Sequence, residues 1–101
     1  MHLIEILLPL FDNEGRPFEA GLHARVREEL LEQYGGLTAF TRNPAQGLWD
    51  DEGQRRRDQI VIFEVMADSF DRNWWRSYRE GLERRFRQEE IVVRSHEIER
   101  L

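Results

Sequence analysis

The segment QIVIFEVM, residues 59–66, is apolar on both of its faces. Val61, Phe63 and Val65 form one alternating set, and Ile60, Ile62, Glu64 and Met66 form the other. Successive side chains of a strand point to opposite faces, so this strand needs cover on both sides. Residues 2–10 repeat the pattern. His2, Ile4, Ile6 and Leu8 alternate with Leu3, Glu5 and Leu7, again apolar on both faces apart from one glutamate. Two such strands demand a sheet with helices on one face and a further layer on the other.

The rest of the chain supplies the helices. FDNEGRPFE is a loop whose turn residues are Asn13, Gly15 and Pro17. From Glu19 to Tyr34, Leu22, Val26, Leu30 and Tyr34 recur every four residues and predict a helix, which Gly35–Gly36 ends. LTAFTR, residues 37–42, is the second strand, continued irregularly by NPAQGLW. DDEG (50–53) is a turn, and RDQIVIFEVMA returns as the third strand, making a long hairpin. FDRNWWRSYREGLERRF (70–86) is a second helix, capped by Asp71. Trp75, Tyr78, Leu82 and Phe86 fall in one wedge of its wheel and belong to the core. Trp74 points about 100° away, toward the side of Gly81 and Arg85, and is a boundary residue. IVVRSHEI closes the chain as a fourth strand.

Strand, helix, strand, strand, helix, strand is the order of the α+β, ferredoxin-like βαββαβ fold. Right-handed crossovers put the first and third strands in the middle of a four-stranded antiparallel sheet, with two helices on one face. At 101 residues the chain is read as a single domain, residues 1–101.

Composition removes several kinds of chemistry. The chain has no cysteine, so thiol nucleophiles, disulfides and thiolate metal sites are excluded. All fifteen basic residues are arginine, which excludes lysine Schiff bases and the phosphate-loop lysine. A formal charge of -5 argues against a nucleic-acid partner. The N-terminus lacks a signal-peptide pattern, and no apolar run reaches the ~20 residues of a membrane helix. A soluble, cytoplasmic protein with no membrane association is expected. His2, His23 and His96 share no metal-ligand spacing, so no metal site is expected, and no cofactor is called for. His23 reads as a satisfied boundary residue. The basic run Arg55–Arg57 and the four-residue pairs Arg76–Glu80, Glu80–Arg84 and Glu83–Arg87 read as solvated charge.

The hairpin carries a resemblance. GLT at Gly36–Thr38, GLW at Gly47–Trp49, an acidic glycine turn and a basic residue before an apolar strand resemble an uncharacterised family of small bacterial proteins. At the level of fold, the chain is similar to the dimeric α+β barrel proteins, in which two such sheets pack open face to open face. That superfamily includes small monooxygenases, muconolactone isomerase-like enzymes and stress-response proteins, and fold alone does not choose among them.

The open face gives the candidate site. Leu3, Leu7, Ile60, Ile62 and Met66 make it apolar, and a homodimer through this face would cover them. Glu5 and Glu64 fall on that same face of neighbouring strands. Arg42 projects there from the second strand, and Arg94 and His96 from the fourth. Carboxylates with raised pKa beside a histidine suit proton transfer, with Glu64 or His96 as the catalytic candidate. The alternative is a set of Glu–Arg pairs that fix the dimer register. Glu5, Glu64, Arg42, Arg94, Trp49 and Trp74 are the candidate binding residues. Three functions stay open: a homodimer binding a small ligand between sheet and helices, a cofactor-independent monooxygenase- or isomerase-like enzyme, and a purely structural interaction module.

Overall fold

The elements form in the expected order in the computed structural model, which describes residues 1–42 and 59–101. They are β1 (His2–Pro9), α1 (Ala20–Tyr34), β2 (Thr38–Arg42), β3 (Ile60–Ala67), α2 (Arg72–Arg85) and β4 (Val92–Glu97). The sheet order is β2-β3-β1-β4, and every pairing is antiparallel. The two strands that are apolar on both faces are therefore the inner pair, as their patterning requires. This is the ferredoxin-like α+β arrangement. The irregular continuation after Arg42, the DDEG turn and the Arg55–Arg57 run lie outside the described residues.

Both helices cover one face of the sheet. Ile4, Ile6 and Leu8 of β1 and Val61, Phe63 and Val65 of β3 meet Val26 and Leu30 of α1 and Trp75, Leu82 and Phe86 on and just beyond α2. These residues are all buried. Removing this much apolar surface from water is the main favourable contribution to the fold.

Each helix end has a local cause. Gly35 takes a left-handed conformation at φ 74° and donates its N–H to Leu31 O, which terminates α1 at low steric cost. Asp71 caps α2, its Oδ1 accepting from the N–H groups of Asn73 and Trp74. The far end of α2 carries no glycine. Arg87 occupies the left-handed region instead, at φ 52°. Its N–H bonds Arg84 O while Gln88 N–H reaches Glu83 O, the two-bond Schellman closure.

The helices are also joined by polar contacts. Arg85 of α2 pairs with Glu29 of α1, and the Tyr78 hydroxyl donates to the same carboxylate. Trp75 Nε1–H donates to the Tyr34 hydroxyl at 2.6 Å. Within α2 the ion pair formed is Arg79–Glu83 at 2.9 Å, not the pairs at 76–80, 80–84 or 83–87. Glu83 is drawn to that side because its Oε2 also accepts the Ile91 N–H as the chain enters β4. That bond, foremost, holds its carboxyl below the usual range. Among the described residues no helix is long and apolar enough to cross a membrane.

Candidate functional site

The register of the sheet sorts its open face into rungs. Thr38, Glu64, Glu5 and Arg94 stand side by side across β2, β3, β1 and β4. The next rung on the same face is Phe40, Ile62, Leu7 and Val92, and on the other side lie Met66, Leu3 and His96. A polar row thus runs between two largely apolar ones.

The polar row is asymmetric. Glu5 is well enclosed, its side chain 12% exposed. Its Oε1 accepts from Arg94 Nε at 3.1 Å, with His96 Nδ1 at 4.0 Å. Glu64, directly across the rung from Glu5, has no ion-pair partner among the described residues. Burial first, and then the charge and hydrogen bonding of Glu5, hold the Glu64 carboxyl above its ordinary range, against a smaller opposing pull from His96. Two adjacent carboxylates served by one arginine retain a proton more readily than isolated ones.

Of the residues expected at this site, the structure brings Glu5, Glu64, Arg94 and His96 together. Arg42 belongs to the same face of β2, farther along the strand. Arg42 pairs with Ile60, two rungs beyond Glu64, a separation of about 13 Å along the strand. Trp49 lies outside the described residues. Trp74 belongs to the helix layer, on the opposite side of the sheet. It is half-buried, stacks on Tyr78 with ring centroids 4.9 Å apart, and meets Trp75 edge-on. Trp75 is buried in the core, as its place on the helical wheel requires.

The apolar rungs are only partly covered. Phe40, Val92 and Met66 are 42%, 43% and 51% exposed, while Ile62 between them is 2% exposed. Three large apolar side chains exposed around a charged pair are more than a solvent-facing sheet usually carries.

A second feature lies between sheet and helix. A cleft of about 520 Å³ opens between α1 and the β2–β3 pair, lined mainly by apolar side chains such as Phe18, Ala24, Ala39 and Val61, with His23 and Arg27 at its polar side. His23 Nε2 lies 2.9 Å from Pro9 O and donates to it, so it is the satisfied boundary histidine the pattern predicts. Its ring packs against Phe18 and Phe86. A ligand site between sheet and helices is expected from the sequence, but its lining is not, because the walls come from four separate elements. Among the described residues no group of three potential ligands gathers to hold a metal ion.

Neither a family model, nor a curated protein, nor a solved structure matches this chain.

Proposed function

We propose that the chain works as a homodimer joined through the open sheet face, each subunit holding a small, largely apolar ligand between α1 and the β2–β3 pair. On this reading it is one of the dimeric α+β barrel proteins. The observation that carries it is the cleft. Its volume of about 520 Å³ lies within the range of small-molecule sites, and an apolar lining with few polar groups is their usual character. Dimer formation is supported by the exposure of Phe40, Met66 and Val92 around the Glu5–Glu64 rung.

Two measurements test the parts separately. Sedimentation should give twice the 12.2 kDa chain mass, and Met66→Glu should shift the protein toward monomer. Met66 is the informative position because it is half exposed in the single chain, whereas Ile62 is already buried there and its replacement would damage the fold itself. For the cleft, an anilinonaphthalene sulfonate probe should bind the dimer, and Ala24→Phe should displace it without lowering the melting temperature. Unchanged probe binding in Ala24→Phe would dismiss the cleft, and a monomeric wild type would dismiss the dimer.

One observation favours a second reading, a cofactor-independent monooxygenase- or isomerase-like enzyme. It is the raised pKa of Glu64 beside Glu5 and His96. In that case a compound carried by the protein should be converted on incubation. Glu64→Gln should retain the compound and stop the conversion, as followed by mass spectrometry.

A further inference from the structure

The chain is acidic overall, yet its arginines are not spread evenly. Arg72, Arg76 and Arg79 follow one another at intervals of four and three along α2, which puts them on one side of the helix. That side faces the edge strand β4. Between them lies a cleft of about 250 Å³ that all three arginines line, together with Arg94 and Ser95 of β4 and the indole of Trp75. Every charged residue of its lining is an arginine, in a chain with twenty acidic and fifteen basic side chains.

Two of these guanidinium groups are already engaged. Arg79 Nη1 is held by Glu83, and Arg94 Nε is held by Glu5 on the open face of the sheet. Arg72 and Arg76 have no carboxylate partner among the described residues. Arg72 lies over the Phe70 ring at 5.2 Å, a contact that positions the group and leaves its charge uncompensated. Like charges gathered in a confined space repel, and an anion between them converts that repulsion into attraction. The cleft has further donors. β4 is an outer strand of the sheet, so one edge of its backbone has no strand partner among the described residues, and Ser95 adds a hydroxyl. Trp75 and Ile4, both buried, give the cleft an apolar floor.

We propose that the α2–β4 cleft binds a small phosphate monoester. The dianionic phosphate sits among Arg72, Arg76 and Arg79, and the organic part lies against Trp75 and Phe70. Arginine suits this task because its planar fork donates two hydrogen bonds to neighbouring phosphate oxygens. The volume of about 250 Å³ suits a small ester. The site is separate from the apolar cleft under α1 and does not depend on it.

Titration of the full chain with phenyl phosphate tests the proposal, read by tryptophan fluorescence and by the arginine Nε–H signals in NMR spectra. Saturable binding is expected, with the Arg72 and Arg76 signals shifting. Arg76→Gln should weaken it by about tenfold, the loss of one charge-assisted contact. Arg76 is exposed and unpaired, so this variant should melt like wild type. Arg72→Gln provides a second variant, and Arg87→Gln, outside the cleft, should bind normally. Phenyl sulfate has the same ring with a single charge and should bind several-fold more weakly, and added salt should weaken both. Absence of saturable binding, equal affinity for the sulfate, or unchanged affinity in both Arg72→Gln and Arg76→Gln would overturn the assignment.

Discussion

Arg85 holds Glu29 through both terminal nitrogens, Nη1 to Oε1 at 2.6 Å and Nη2 to Oε2 at 2.8 Å, and so ties α2 to α1. The Tyr78 hydroxyl donates to the same Oε1 at 2.8 Å, and Arg25 approaches from α1 itself at 3.5 Å. Both partners of the fork are less than one-third exposed, Glu29 at 30% and Arg85 at 23%. Replacing Arg85 with methionine should therefore cost about 1–3 kcal/mol, because a half-buried carboxylate loses its two charge-assisted bonds. Urea denaturation near neutral pH measures this.

The same pair sets an acid-side pH dependence. The Arg85 bonds hold the Glu29 carboxyl below its ordinary value of 4.5. Its contribution is fully present above that value and is lost as pH falls through the lower folded one. Glu29→Gln should be less stable than wild type at neutral pH, and the gap should narrow on acidification. A gap that is constant with pH would show that the charge of Glu29 is not what matters.

Glu64 has the opposite sign. Its folded pKa lies above 4.5, so the native protein binds this proton more tightly than the unfolded chain does. Stability should decline as pH rises from 4.5 through the folded value and level off beyond it. Glu64→Gln removes that decline, so the variant should be the more stable protein at neutral pH and lose the advantage in acid. Parallel thermal melts across this range decide the matter, and superimposable profiles would exclude a strained Glu64.

The neighbouring tryptophans should respond unequally. Trp75 is 5% exposed and donates to Tyr34, whereas Trp74 is half-buried and stacks on Tyr78 at the edge of the core. Trp75→Ala should cost about 3–5 kcal/mol, and Trp74→Ala clearly less. Chemical denaturation of both variants makes the comparison.

Arg87 offers a gain. A side chain at φ 52° is crowded against its own backbone, a conformation that glycine adopts freely. Arg87→Gly should raise stability by up to about 1 kcal/mol, the relieved strain being partly offset by the greater freedom of glycine in the unfolded chain. A lower melting temperature would mean that the Arg87 side chain makes a contribution of its own.

These positions also mark what the sequence reveals and what it hides. The alternation in β1 and β3 identifies the inner strands, both apolar faces and the face that Glu5 and Glu64 share, whereas their direct opposition is a matter of register, which a period of two leaves open. Edge strands are less constrained. The face of Arg42 follows from alternation, but its distance from Glu64 depends on the hairpin register. The Glu29–Arg85–Tyr78 contact joins residues far apart in the chain, and no local spacing announces it. Nor does spacing select Arg79–Glu83 over the other four-residue pairs of α2, because that choice is made by the Ile91 N–H. The close of α2 is hidden for a different reason, as arginine stands where glycine would be expected.

The pairing of β1 with β4 has a consequence for synthesis. His2 is matched with Glu97 and Leu7 with Val92, so each rung joins residues roughly 90 positions apart. β1 is made well before β4, yet gains its second neighbour only after β4 has emerged. Until then one edge of an inner, apolar strand stays open, a template for pairing with another chain. Arrested nascent chains that lack β4 should therefore be protease-sensitive and prone to associate, and both properties should disappear when β4 clears the exit tunnel.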